Sequence, residues 1–167
     1  MPEKKSFLQI IVLHLIVIFF VILNVSDIRI AGLLHVLPLL DLMAVFYFTI
    51  FRKTFGIWFI FLLGVWNDAL VGSPLGTTSL CYILLIKIFL VLNQKMSVKE
   101  NFQHIWKQFI IFCCLFLSIK WLLVSMLNNQ FASFVGVIVA MVLNSVVYVL
   151  AHKFFDYLSQ KLLGENN

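Results

Sequence analysis

Residues 55–92 read FGIWFIFLLGVWNDALVGSPLGTTSLCYILLIKIFLVL, and this stretch decides the fold class. It contains two long apolar runs, separated by a Gly-Ser-Pro segment that is typical of a turn. A bilayer core is about 30 Å thick and requires about 20 apolar residues for one helical crossing. Neither run shows the strict alternation of a barrel strand, and a chain in lipid must satisfy its own backbone hydrogen bonds. The stretch therefore predicts two membrane helices joined by a short connection.

The rest of the chain has the composition of a membrane protein. Hydrophobic residues make up 63% of the 167 residues and charged residues only 11%, and the mean hydropathy is +1.08. These values exclude a water-soluble globular core. Six apolar runs of roughly spanning length lie between polar segments, at about 7–23, 33–51, 55–70, 75–92, 108–127 and 131–150. We predict an all-α integral membrane protein, a six-transmembrane-helix bundle in a single polytopic domain over residues 1–167.

Basic residues outside the spans fall on alternate connections, as the positive-inside rule expects. One side of the membrane receives Lys4, Lys5, Arg52, Lys53, Lys95, Lys99, Lys107, Lys153 and Lys161. The other side receives Arg29. We therefore expect both termini in the cytoplasm, and we interpret the net charge of +5 as a consequence of topology. A nucleic-acid-binding surface is excluded because the aromatic residues lie inside the apolar runs.

Two cytoplasmic segments combine polar residues with apolar residues at helical spacing. Residues 97–100 fit a capping box, and the apolar positions after it continue to Phe109. We predict a short separate helix at the lipid headgroups before the fifth span. Residues 153–162 show a similar pattern, which we interpret as an interfacial anchor, with a partner-binding helix as the alternative.

Three charged residues fall inside the predicted spans, namely Asp41, Asp68 and Lys120. An ionised group at the bilayer centre costs about 2.5–3.5 kcal/mol on insertion scales, so such residues need a partner. At a rise of about 1.5 Å per residue, Lys120 lies at a depth from which it can reach either aspartate. One interpretation is a buried ion pair that fixes which helices are neighbours. The other is contact with a partner's transmembrane helix or with a substrate.

Small residues repeat every fourth position along the sixth span, at Ala132, Gly136 and Ala140, and an amide follows at Asn144. Such a stripe allows close approach of a second helix. We predict a helix-packing stripe inside the bundle, with a contact between protomers or with another protein as the alternative.

The sequence carries none of the compact motifs of enzymes or metal sites. A GxxxxGK[ST] loop, a GxSxG elbow, an HExxH pair and paired catalytic carboxylates are all missing. The three cysteines and four histidines are dispersed without metal-ligand spacing. Ser73 has no histidine or other base close to it in the sequence, so a turn explains it best. We therefore expect no catalytic residue, no cofactor and no metal.

Residues 64–76 resemble the signature of the rod shape-determining protein MreD family, whose members are small polytopic proteins with a G-x-x-x-D-x-x-x-G-x-P-L-G type segment. The matching residues are Gly64, Asp68, Gly72, Pro74, Leu75 and Gly76. The run from Pro38 to Tyr47 resembles the Pro-containing helix that precedes the signature in the family. One departure is that Asp41 follows Pro38 by three residues, where many relatives place a polar or acidic residue directly after the proline.

The resemblance implies a non-catalytic membrane subunit of the bacterial cell-elongation (rod) complex in the cell inner membrane. Such proteins are associated with MreC, with the actin-like MreB and with the peptidoglycan polymerase and transpeptidase pair, and they maintain cell shape by organising lateral wall synthesis. In its six-helix architecture the family also resembles the substrate-binding subunits of energy-coupling-factor vitamin transporters, which is the alternative function. Those subunits usually carry a small-residue motif on the first helix, whereas residues 11–23 of this chain are bulky throughout.

Overall fold

The computed structural model describes residues 7–25, 38–92, 101–128 and 134–163, and within these ranges the chain forms six helices. The helices are α1 (Phe7–Val25), α2 (Leu40–Val45), α3 (Ile57–Val71), α4 (Thr77–Leu92), α5 (Phe102–Asn128) and α6 (Phe134–Leu163). A π-helical segment, Phe46–Phe51, continues α2 without a break, and we call the two together the central helix (Leu40–Phe51). The all-helical prediction is confirmed for the described residues.

Two of the helices are long and apolar enough to cross a membrane, over Phe102–Leu127 and Phe134–Leu162. The other four apolar helices are shorter, at 10–17 residues over Gln9–Asn24, Leu40–Phe51, Ile57–Val71 and Thr77–Val91. The second predicted run began at residue 33, but the described helix begins at Leu40, after the non-helical Pro38 and Leu39. Residues 33–37 lie outside the described ranges.

The separate short helix predicted before the fifth span is wrong where the structure describes it, whereas the interfacial anchor at residues 153–162 stays a prediction. Helix α5 runs without interruption from Phe102, and its Ile105 and Phe109 are buried in the core. Helix α6 likewise continues beyond the predicted end of its span, and its Phe155 is buried. In both cases the apolar stripe stays on one helix face across the predicted boundary, so the helix remains on the bundle. Residues 97–100 lie outside the described ranges.

The central helix runs through the middle of the bundle, and every residue from Asp41 to Ile50 is buried. It packs against α1, α4, α5 and α6, while α1, α3, α4, α5 and α6 pack on one another in sequence around it, with α6 returning to α1. Aromatic rings fill much of the core. Phe109 of α5 stacks on Tyr148 of α6 at 3.8 Å between ring centroids, and Phe46 of the central helix packs edge-on against both.

Candidate functional site

The family-like motif forms the hairpin between α3 and α4. Gly64 is buried at the contact between the two helices. The helices are so close there that a Cβ atom at this position would lie 2.6 Å from the Cα atom of Ser79. A side chain there would force the helix backbones apart. The Ser79 hydroxyl donates a hydrogen bond of 2.8 Å to the Phe61 carbonyl across the same contact.

Asp68 reaches from the end of α3 to the first turn of α4 and is fully buried. Its Oδ2 accepts the backbone N–H groups of Gly76 and Thr78, each at 2.9 Å. Its Oδ1 accepts the hydroxyls of Thr77, at 3.2 Å, and of Thr78. The first N–H groups of a helix have no partner within the helix, and a carboxylate is favoured at this positive end of the helix dipole. Asp68 therefore supplies the N-terminal cap of α4 from the neighbouring helix.

The turn of the hairpin uses the remaining motif residues. Gly72 ends α3 in the left-handed region at φ 71°, and the next amide, of Ser73, donates to the Asp68 carbonyl at 3.0 Å. This is the usual glycine-terminated end of a helix. Pro74 presents its carbonyl to the Thr77 hydroxyl at 2.9 Å, and Leu75 points outward. Of the motif side chains, Leu75 is the most exposed and Pro74 is half-buried.

A second buried carboxylate, Asp41, lies in the first turn of the central helix and is 1% exposed. It accepts hydrogen bonds from side chains of three surrounding helices. The donors are the Asn24 amide of α1, the Asn67 amide of α3 at 2.9 Å and the Tyr82 hydroxyl of α4 at 2.9 Å. All three donors are neutral, and together with Asp41 they connect four helices at one end of the bundle.

The backbone at the start of the central helix is capped from α6 and α1. The buried Asn144 accepts the Leu39 N–H at 2.7 Å through its Oδ1 and donates to the Ala140 carbonyl at 2.7 Å. Asn24 accepts the Leu40 N–H at 3.4 Å. Leucine at the cap position offers no side-chain acceptor. The Leu39 amide therefore obtains its partner from α6, while the Leu40 amide is shared between Asn24 and the Pro38 carbonyl, which lies at 3.0 Å.

The predicted small-residue stripe of α6 is only partly internal. Asn144 lies inside the bundle, and Ala140 is half-buried. Gly136 is exposed, and a Cβ atom there would meet nothing within 4 Å, so this glycine does not pack against any of the described helices. Residues four apart are offset by about 40° around an α-helix, so Gly136 lies about 80° from the buried Asn144 and turns outward. Ala132 lies outside the described ranges.

Lys120 does not form the predicted ion pair by direct contact. Within the described ranges, its ammonium makes no salt bridge to Asp41 or Asp68, and it lies over the Phe116 ring at 5.9 Å from the centroid. It interacts with Asp41 electrostatically, through space. Both carboxylates are occupied by neutral donors that lie closer than the Lys120 ammonium, and the ion pair stays a prediction.

The opposite end of the central helix carries a polar cluster that sequence reasoning missed. Asp156 of α6 accepts the Tyr47 hydroxyl and lies 3.5 Å from the Arg52 guanidinium and 3.3 Å from the His152 ring nitrogen. Arg52 also donates to the Tyr47 hydroxyl at 3.1 Å, and the Tyr148 hydroxyl lies 3.4 Å from the other His152 nitrogen. The available signal was the His-x-x-x-Asp spacing, which places His152 and Asp156 on one helix face.

The described residues contain no group of three or more His, Cys, Asp or Glu side chains that could hold a metal ion. Each of the three carboxylates described above is instead engaged by protein donors, so the polar residues hold helices together.

The chain matches no protein-family model, no curated protein and no solved structure. The resemblance to the MreD family therefore stays a prediction that rests on the motif residues of α3 and α4.

Proposed function

We propose that the chain is a six-pass membrane protein with the central helix enclosed by the other five. Each surrounding helix presents large apolar side chains outward, such as Phe19 of α1, Trp58 of α3, Val91 of α4, Ile111 of α5 and Leu150 of α6. Soluble monomers rarely expose apolar patches of more than a few hundred Å², whereas lipid accepts such a surface. The lengths of α5 and α6 add support for this arrangement.

The proposed orientation places the Asp156 end of the bundle in the cytoplasm of a bacterial cell. Asn24, near the end of α1, contacts Asp41 at the start of the central helix, so α1 begins at the Asp156 end. Helix α6 also ends there. The exposed lysines Lys53 and Lys153 lie at the same end, which is the side expected for positive charge in an inner-membrane protein. Both chain termini are then cytoplasmic.

Within this membrane, the function supported best is that of a non-catalytic subunit of the cell-elongation complex, organising lateral peptidoglycan synthesis and so maintaining cell shape. The observation that carries the proposal is the hairpin itself. Gly64, Asp68 and Gly72 of the family-like motif all serve to join α3 to α4. A motif with an architectural role, beside helices with bare apolar outer faces, suits a protein that acts by contact with other membrane proteins.

The partners implied by the resemblance are MreC, MreB and the peptidoglycan polymerase and transpeptidase pair. We place the transmembrane helix of MreC on the outer face of α6 around Gly136. This glycine is exposed and leaves open space next to the helix backbone, and a small residue lets a second helix approach closely.

The test is affinity purification of the tagged full chain from its native membrane in mild detergent, with co-purifying proteins identified by mass spectrometry. Recovery of MreC and the wall-synthesis enzymes would support the proposal. Recovery of a transmembrane coupling subunit with ABC-type ATPases would contradict it and would favour a vitamin-transporter subunit.

The docking face is tested separately by Gly136→Ile, which adds four carbons where the structure has open space. We expect normal protein levels and loss of MreC from the purified complex. The matched control is Val142→Phe, which adds the same number of carbons at an exposed position of α6, about 120° around the helix from Gly136. Retention of MreC by the Gly136 variant would exclude this face.

A further inference from the structure

The charges of the described residues are divided unequally between the two ends of the bundle. Lys53 follows the central helix, Lys107 lies near the start of α5, and Lys153 and Lys161 lie in the last turns of α6. All four side chains are exposed, and we call them the basic end. At the opposite end, Asp41 and Asp68 are buried and Lys120 is half-buried.

The positive charge of the basic end is not compensated within the described ranges. Asp156 is the one carboxylate that these ranges place near it, and Asp156 is already engaged by Arg52, His152 and Tyr47. The four lysines therefore present a net positive surface, and their charges are carried by three different parts of the bundle.

Exposed aromatic side chains accompany these lysines. Trp58, in the first turn of α3, is 78% exposed, and Phe154 and Tyr157 of α6 are also exposed. The Lys161 ammonium lies 5.9 Å from the Tyr157 ring centroid. Tryptophan and tyrosine favour the level of the lipid headgroups, and lysines near a membrane surface are attracted to anionic lipids.

We propose that the basic end binds anionic phospholipid headgroups, with the lysines contacting phosphate and the aromatic rings lying at the level of the headgroups. A membrane surface fits better than an acidic protein, because the lysines are spread over α5, α6 and the segment after the central helix and are accompanied by exposed aromatic rings. The inference rests on the chain crossing a membrane, and it is independent of a role in cell elongation.

The experiment uses the full chain reconstituted in phosphatidylcholine bilayers that contain phosphatidylglycerol. One variant keeps Trp58 as its single tryptophan, and a second keeps Trp121, which lies towards the opposite end of α5. The other tryptophans are replaced by phenylalanine. Fluorescence quenching is compared between brominated phosphatidylglycerol and brominated phosphatidylcholine at equal mole fraction.

We expect the brominated anionic lipid to quench Trp58 fluorescence at least about twice as strongly as the brominated neutral lipid does. Trp121 should be quenched equally by both lipids. Replacing the four lysines with glutamine should lower the Trp58 ratio, and raising the salt concentration should bring it towards one. Equal quenching of Trp58 in the parent, or a ratio that lysine replacement leaves unchanged, would overturn the proposal.

Replacement of Trp106 removes its hydrogen bond to the Ser145 carbonyl, so a second measurement avoids the tryptophan variants. Native mass spectrometry of the unaltered chain and of the four-lysine variant should show that the variant retains less phosphatidylglycerol than the unaltered chain. Equal retention by both chains would contradict the proposal. Recovery of MreC, measured separately, tests the role in cell elongation.

Discussion

Asp41 and Asp156 lie at opposite ends of the central helix and are held by different kinds of partner. Asp41 is 1% exposed and accepts hydrogen bonds from two amides and one hydroxyl, all neutral. The Asp156 side chain is 31% exposed and contacts Arg52, whose side chain is 4% exposed, as well as His152. The Asp41 cluster is therefore closed to water and consists of one carboxylate with neutral donors. The Asp156 cluster is partly open to water and contains a second charged side chain.

This difference indicates two ways of joining helices within one bundle. Neutral donors at fixed positions stabilise a buried carboxylate without requiring a second buried charge, which would carry its own desolvation penalty. Charged partners are effective where water reaches one member of the pair, but their attraction is screened by salt. We infer that Asp41 fixes the positions of four helices, and that Asp156 forms a weaker, salt-dependent connection between α6 and the end of the central helix.

The largest effect should come from Asp41→Ala, which leaves the buried donors of Asn67 and Tyr82 and the half-buried Asn24 amide without this acceptor. We expect a loss of about 3 kcal/mol in the free energy of unfolding, because buried polar groups retain their desolvation penalty when a partner is removed. The measurement is dodecyl-sulfate-induced unfolding in detergent micelles, followed by circular dichroism. Asp41→Asn, which keeps the shape and one acceptor oxygen, should lose less. A change of less than about 0.5 kcal/mol for the alanine variant would show that water replaces the carboxylate.

Asp156→Ala should have a smaller effect, a loss of about 1–2 kcal/mol, since the cluster is open to water on one side. The double variant with Arg52→Leu should lose less than the sum of the two single variants, because the two side chains interact. Raising the salt concentration should reduce the effect of Asp156→Ala and leave that of Asp41→Ala unchanged. Equal salt dependence at both ends would remove the distinction between the two clusters.

The helices and the hairpin could be predicted from the sequence because their signals are local. The predicted runs at 55–70 and 75–92 correspond closely to Ile57–Val71 and Thr77–Leu92. Apolar length and the Gly-Ser-Pro turn are both read within a short window. The position of Asp68 before that turn was visible, but its function as the cap of α4 depends on the angle at which the hairpin folds back.

The partners of Asp41 could not be predicted in the same way. Asn24, Asn67 and Tyr82 are far apart in the sequence, and neutral amides and hydroxyls do not stand out in an apolar helix as a lysine does. A search by charge selected Lys120, which lies over an aromatic ring. The contact between Asp156 and Arg52 was missed for a related reason, because the sixth span was expected to end at about residue 150.

Near the Asp156 end of the central helix, the Thr49 hydroxyl is buried and has no hydrogen-bond partner among the described residues. Thr49→Val keeps the shape of the side chain and removes this hydroxyl, so we expect a gain of about 1 kcal/mol in the free energy of unfolding. The control is the same substitution at Thr78, whose hydroxyl donates to Asp68. Thr78→Val should therefore lower the free energy of unfolding. A loss at Thr49 as large as at Thr78 would show that the hydroxyl has a partner.

The smallest effect concerns Lys53, which ends the central helix on the Asp156 side with φ at 50°, in the left-handed region. The next amide, of Thr54, donates to the Phe48 carbonyl at 2.7 Å, so the backbone is held in this conformation. Glycine avoids a steric cost of about 1–2 kcal/mol at this φ, but it also makes the unfolded chain more flexible. Lys53→Gly should therefore raise the free energy of unfolding by about 0.5 kcal/mol.

Gly72→Ala is the matched opposite, because Gly72 ends α3 in the same left-handed region, at φ 71°. This substitution should lower the free energy of unfolding by about 1 kcal/mol. If Lys53→Gly lost stability while Gly72→Ala behaved as expected, contacts of the lysine side chain would outweigh the backbone strain. The Asp156 end would then depend on more than the charges around Asp156, and the contrast with the neutral cluster at Asp41 would have to be redrawn to include Lys53.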